Sequence, residues 1–443
     1  MKTSSNVKNY IFNAAIIAVI LLNLFAWRNQ WLGLIVGFLY LFVYGRKLGR
    51  ILFAKFDKTF QALFGVLAYL SGVMILFSLS YYFYEIIDAV FVSVLIIGTV
   101  AIELFYYSKV HGLDHEQTPE GDKATQTTLS TTGIVLSTAY LIATAGCFFL
   151  LVHARTDLSL ASPWQVVSKI FFPLFALTSA MLVATVIVNR KTKLSLALVC
   201  VHTFLMTSVT SIVYAIGYGY DPFLHLAGQK IILATGTLLP KIFYYIGEYS
   251  AVIFLNKLAF VPLDWLNKFF VQILFAIYLP ASIFYGFIVG KETDKRRTLV
   301  LPLLFTILPL TYFISTTPQS LAALFCLIII FLSQLDVPTL HSMGALAIAT
   351  CFIHPLLGLP ITLFVLYSSI NESNIKALIK KIGKTIIIAG SLFVYPILFY
   401  GYTLASGNRL GLKFSMAIKW PHLVDKQYNF IYDLFYVYGA NWR

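Results

Sequence analysis

Residues 60–80 read FQALFGVLAYLSGVMILFSLS and contain no charged side chain. A helix of this length is about 30 Å long at 1.5 Å rise per residue, which matches the hydrocarbon thickness of a bilayer. Because lipid offers the backbone no hydrogen bonds, an apolar run exposed to lipid has to form a helix. The stretch therefore predicts a membrane-spanning helix.

Comparable runs recur along the whole chain. Hydrophobic residues make up 59% of the 443 and charged residues only 11%, too few polar side chains to cover a soluble globule. We predict an all-α, polytopic integral membrane protein with about thirteen transmembrane helices. The first run is expected to be a retained span and not a cleaved signal peptide. The predicted spans are residues 9–27, 32–51, 60–80, 84–106, 131–153, 167–189, 194–216, 266–290, 298–315, 319–334, 338–353, 355–371 and 382–404.

The distribution of Lys and Arg predicts the orientation, because these residues concentrate in short cytoplasmic loops. With the N-terminus inside, the inner segments hold most of the basic residues, whereas the short outer loops before residue 218 hold only Arg28 and Arg155. We therefore expect a protein of the plasma (inner) membrane with a cytoplasmic N-terminus and an extracytoplasmic C-terminus. The net charge of +14 then reflects topology and attraction to anionic membrane lipid, and no nucleic-acid partner is expected.

The predicted spans divide the chain into three regions. Residues 1–192 form a membrane region of about six spans with no recognisable chemistry. Residues 193–404 form a membrane core that contains an outer loop at 218–265. Residues 405–443 form an outer tail rich in aromatic and basic residues, which is consistent with an interfacial tail or with a truncated reading frame.

The outer loop contains a dense polar cluster. Asp221-Pro222 is typical of a helix start, since Asp is a preferred N-cap and Pro a preferred first helical residue. His225 follows on the same face at i, i+4 spacing, and Gly236 and Pro240 end the helix. Residues 241–260 are mostly apolar. If they crossed the membrane, the basic loop GKETDKRR (290–297) would lie outside, so we expect amphipathic helices in the outer interface.

The stretch DPFLHLAGQKIILATGTLLPK (221–241) resembles the first external loop of the GT-C superfamily of membrane glycosyltransferases, which includes the catalytic subunit of oligosaccharyltransferase. The resemblance covers the second half of the chain. It implies transfer of a sugar from a polyprenyl-phosphate-linked donor to an acceptor on the extracytoplasmic face, as in cell-envelope assembly. It also implies that Asp221 is the general base, or the ligand of a divalent metal if one is used, with His225 beside it.

Several other residues are candidates for substrate binding. Lys230, Lys241 and the tail residue Arg409 could hold the donor phosphate, and Glu248 and His354 are ionisable groups at a membrane boundary. The alternatives are that Asp221 is purely an N-cap and that His354 caps a helix or contacts head groups. The sequence also departs from the family pattern, because the later outer turn STTPQS (315–320) has no acid and no Trp-Trp-Asp motif is present.

Two other classes of function stay open. A multi-span transporter or flippase of lipid-linked glycans should place ionisable residues near the bilayer midplane of several spans. In this sequence they gather mainly at the predicted outer interface, which favours an interfacial enzyme. The third class is a non-catalytic membrane protein in which the loop only anchors helices.

Overall fold

A computed structural model describes residues 2–113, 130–189, 192–241, 245–288, 299–304, 310–335, 340–372 and 377–405. Within these ranges the chain is all-α, as predicted, and its one β feature is an isolated bridge between Thr156 and Tyr214. The predicted outer tail, which includes Arg409, lies outside the described residues.

The helices vary widely in length. In chain order they are α1 (Lys2–Leu22, extended by a π-helical turn Asn23–Trp27), α2 (Gln30–Leu52), α3 (Lys58–Phe83), α4 (Asp88–Leu113), α5 (Thr131–His153), α6 (Phe171–Val188), α7 (Thr192–Thr207), α8 (Val209–Val213), α9 (Asp221–Thr235), α10 (Ile246–Ala259), α11 (Leu263–Ile288), α12 (Leu301–Leu304), α13 (Pro318–Leu332), α14 (Leu340–Ile353), α15 (Pro355–Glu372) and α16 (Ala377–Ala405). Short 3-10 turns lie at Pro163–Gln165 and Leu310–Phe313.

Six helices in the described ranges are long and apolar enough to cross a membrane: Gln30–Leu52, Lys58–Phe83, Asp88–Lys109, Thr131–His153, Phe171–Val188 and Leu263–Phe287. Shorter apolar helices lie at Ile11–Trp27, Thr192–Thr207, Pro318–Leu332, Ser342–Ile353 and Pro355–Ile370. These lengths and compositions fit a membrane protein. The total of about thirteen spans stays a prediction.

Helices α2 and α3 pack closely because glycine lies at their contact. A Cβ atom on Gly49 would lie 1.8 Å from the carbonyl oxygen of Gln61, and one on Gly65 would lie 2.0 Å from that of Gly45. Small residues allow helix backbones to approach this closely, which is a common basis of packing between membrane helices.

The predicted span at 194–216 is divided into α7 and α8. Thr207 Oγ donates to the carbonyl oxygens of Thr203, at 3.0 Å, and Phe204, at 3.4 Å. Hydroxyl side chains that bond to the preceding turn bend helices, and here Ser208 separates the two segments. Helix α8 then leads into the turn at residues 217–220, which precedes α9.

Helix α10 corrects the expectation of an amphipathic helix in the outer interface. All of its residues except Asn256 are buried, and the helix packs against α2, α3, α9, α11 and α14. A helix that is apolar on every side belongs in a protein core and not at a surface. Ala259 lies against Gly33 and Gly37 of α2, and Gly247 lies against Ile353 of α14, so glycines make room for α10 at both ends.

Candidate functional site

The candidate site is built on the buried face of α9. Asp221, His225 and Gln229 follow one another at i, i+4 spacing and therefore share one side of the helix. His225 and Gln229 are buried and Asp221 is exposed at the helix start, whereas Phe223, Leu224 and Ala227 lie on the exposed side of the helix. The polar face of α9 thus faces into the protein, against α10 and α11. Gly236, at a φ of +81°, ends the helix as predicted.

His225 lies between two polar partners. Its Nδ1 is 2.8 Å from the hydroxyl oxygen of Tyr249 on α10, and its Nε2 is 3.5 Å from a carboxylate oxygen of Asp221. Burial lowers the pKa of His225, and the Asp221 carboxylate partly opposes this shift. In the Nε2–H tautomer of the neutral ring, Tyr249 donates to Nδ1 and the Nε2 hydrogen faces Asp221.

Asp221 is half-exposed at the start of α9, with 54% of its side chain accessible. It is the first helical residue, and the N-cap position belongs to Tyr220, which makes no capping bond through its side chain. Among the described residues, the Asp221 carboxylate accepts no backbone hydrogen bond, and the one basic side chain within 4 Å of it is that of His225. The interpretation of Asp221 as a pure N-cap therefore lacks the hydrogen bond that it requires.

Glu248 lies in the core, with no exposed surface. Both carboxylate oxygens accept from Gln229 Nε2, at 3.1 and 3.0 Å, and no cation contacts them in the described part of the chain. Burial raises the pKa of Glu248 to about 8, and the bond from Gln229 opposes that shift only in part. A carboxyl group in such surroundings holds its proton at neutral pH.

His354 is brought to the same neighbourhood by α14. Its ring lies 5.6 Å from the ring of Tyr245, which in turn lies 5.0 Å from the ring of His225 in an edge-on arrangement. The backbone N–H of Tyr245 donates to the carbonyl of Ile353 at 3.1 Å and so holds the two segments together. Burial lowers the pKa of His354, and no group in the described ranges forms a hydrogen bond with its Nδ1.

The predicted phosphate-binding lysines have other partners. Lys230 points away from the buried face and pairs with Asp264 at 2.9 Å. Lys241 donates to the carbonyl oxygens of Tyr81, Tyr82 and Tyr84 at the end of α3, at 2.9, 3.4 and 2.7 Å. Three accepted bonds use all three ammonium hydrogens, so Lys241 serves as a cap of α3.

A small cleft lies beside the start of α9. Pro222 borders it, together with Asn267 and Lys268 of α11. Asn267 Nδ2 donates to the Pro222 carbonyl at 3.0 Å and so connects α11 with α9. Across all described ranges, no group of three His, Cys, Asp or Glu side chains is arranged to hold a metal ion.

No protein-family model, curated protein or solved structure matches the chain.

Sequence reasoning did not single out Tyr245, Tyr249 or Lys268 as site residues, and it gave Gln229 no partner. The signal for Gln229 was available, because it continues the spacing of Asp221 and His225. No comparable signal in the sequence pointed to the two tyrosines. They lie on a different helix from His225, and only the packing of α9 on α10 brings them into contact.

Proposed function

We propose that this protein transfers a sugar from a polyprenyl-phosphate-linked donor to an acceptor hydroxyl on the extracytoplasmic face of the membrane. The observation that supports this function is a half-exposed carboxylate, Asp221, next to the buried imidazole of His225. A carboxylate that is open to the surface can reach a bound hydroxyl group and accept its proton.

In the proposed reaction, Asp221 accepts the proton of the acceptor hydroxyl as its oxygen attacks the anomeric carbon of the donor sugar. The bond between that carbon and the phosphate oxygen breaks, and the phosphate leaves with the bonding electrons. Attack opposite the leaving group inverts the anomeric centre. His225 acts as a positioning residue that orients the carboxylate, and Tyr249 holds the imidazole in the required tautomer.

The direct test compares wild type with Asp221→Asn in membranes supplied with polyprenyl-phosphate sugars. Loss of a general base lowers the rate by about 10²- to 10⁴-fold. Asp264→Asn is the matched control, since Asp264 is equally exposed, with 58% of its side chain accessible, and pairs only with Lys230 among the described residues. Equal turnover by wild type and Asp221→Asn would remove Asp221 from the mechanism.

A second candidate function is movement of a lipid-linked glycan across the bilayer. It is supported by an ion pair between Lys47 of α2 and Glu103 of α4, two helices that are candidate membrane spans. The Glu103 carboxylate also accepts a hydrogen bond from Asn13 of α1. Ionisable residues at such positions are typical of transport pathways. Transbilayer movement of a labelled glycolipid in vesicles, without turnover of any donor, would favour this function.

A further inference from the structure

A second polar feature lies at the outer end of the bundle, beside α9 but separate from the Asp221–His225 pair. The cleft there is small and open to solvent, and its polar lining includes Ser211, Asn267, Lys268 and Ser315. The only charged group in this lining is a cation. The feature therefore differs from the carboxylate and imidazoles on the neighbouring face of α9.

The loop after α5 is attached to this cleft by backbone hydrogen bonds. The N–H of Thr156 donates to the carbonyl of Val213, and the N–H of Ala215 donates to the carbonyl of Thr156, each at 2.8 Å. Tyr214 adds a bond from its hydroxyl to the carbonyl of Leu160 at 2.9 Å. These contacts fix the backbone of Arg155, a residue of the N-terminal region, next to the segment that leads into α9.

The side chain of Lys268 lies at the same junction. Its ammonium donates to the carbonyls of Tyr214 and Ala215, at 2.8 and 3.1 Å, which leaves one hydrogen for another acceptor. Arg155 is exposed and directly precedes Thr156, whose backbone bonds to Ala215, so both basic residues lie beside the same segment. In the described part of the chain neither residue pairs with a carboxylate, since the ion pairs found there involve other groups.

A bound anion beside two cations that lack a carboxylate partner in the described chain is attracted to both charges. A guanidinium and an ammonium, with the neighbouring hydroxyls, match the oxygens of a phosphate group. We propose that Arg155 and Lys268 form a binding site for a phosphate ester at the outer face of the membrane. The site joins the N-terminal region to the second half of the chain, and it does not depend on Asp221 acting as a base.

The test measures thermal unfolding of the purified full-length protein in a phosphate-free detergent. The probes are farnesyl phosphate, phosphatidylglycerol and sodium phosphate, with farnesol as the uncharged control. We expect the phosphate-bearing probes to raise the Tm of wild type in a concentration-dependent way and farnesol to have no such effect. A stronger effect of farnesyl phosphate than of phosphatidylglycerol supports a polyprenyl ester, the reverse order supports a head group, and equal effects of all three support recognition of the phosphate alone.

Arg155→Gln should weaken the binding of these probes about tenfold, the loss expected for one charge-assisted contact. Lys169→Gln is the matched control, because it removes one positive charge from an exposed residue of the same outer loop. Lys268→Arg retains the charge and should bind. The proposal would be overturned if Arg155→Gln and Lys169→Gln bound the probes with equal affinity. It would also be overturned if no phosphate-bearing probe raised the Tm of wild type. Asp221→Asn should still bind, which separates this site from the proposed transfer reaction.

Discussion

Two carboxyl groups lie inside the helical bundle in opposite electrostatic settings. Glu103 of α4 pairs with Lys47 of α2 and accepts a bond from Asn13 at 2.9 Å. Glu248 of α10 has only the neutral amide of Gln229 as a partner in the described chain. The first group has a counter-charge and serves to connect three helices, whereas the second can lie in the core only if it keeps a proton. Glu103 therefore stabilises the packing of helices, whereas Glu248 responds to pH.

The largest expected effect comes from breaking the pair at Glu103. Glu103→Leu leaves Lys47 without its counter-ion, and we expect a loss of about 3 kcal/mol, toward the lower end of the range for buried pairs because the side chains keep some access to solvent. Thermal unfolding in detergent measures the loss. The double variant Lys47→Met, Glu103→Leu should recover most of it, and failure to recover would show that the pair is not the cause.

Glu248→Gln tests the other carboxyl group and is expected to change the pH dependence of stability. The folded pKa of about 8 lies above the ordinary value near 4.5, so the folded state holds the proton more tightly. The contribution of Glu248 to the stability of wild type is therefore fully present below pH 4.5 and is lost as the pH rises through about 8.

The amide of Glu248→Gln cannot ionise, so this contribution to the pH dependence is absent in the variant. The difference in Tm between wild type and variant, followed from pH 5 to pH 9, isolates the contribution of Glu248 from that of the histidines. A difference that does not vary with pH would contradict the assignment.

A smaller effect is expected for Tyr249→Phe, which removes the hydroxyl group that contacts His225 Nδ1 at 2.8 Å. We expect about a tenfold loss in the rate of the proposed transfer, equivalent to one hydrogen bond that positions a catalytic group. The pH profile of the rate should also shift, because the imidazole is then free to adopt either tautomer. Loss of rate with an unchanged profile would indicate a packing role for Tyr249.

Smaller effects still are expected for Lys241→Met and, least of all, for Lys230→Met. Lys241→Met removes three bonds to the end of α3 and should lower stability by about 1 kcal/mol. Donor affinity should not change, because the ammonium hydrogens have other acceptors. Lys230→Met, which breaks only an exposed pair, should change stability by less than about 0.5 kcal/mol. Weaker donor binding by Lys241→Met alone would restore the original prediction for this residue.

The sequence predicted the start of α9 at Asp221, its end at Gly236 and the shared face of Asp221 and His225, because these are local features within one helix. It was wrong about α10. Residues 241–260 were expected in the outer interface, but Glu248, Asn256 and Lys257, the polar residues within this stretch, each have a partner inside the protein. Gln229 bonds to Glu248, the carbonyl of Val261 accepts from Asn256, and Asp88 pairs with Lys257. Composition does not reveal such partners.

By itself, the sequence determined that this chain is helical and suited to a membrane, because the length and apolarity of a run such as residues 60–80 leave the backbone no alternative in lipid. Only the tertiary structure decided which polar groups meet. Glu248 and Gln229 are nineteen residues apart, and Arg155 lies more than a hundred residues before Lys268. Their proximity depends on how whole helices pack, since no local pattern along the chain encodes the distance between two helices.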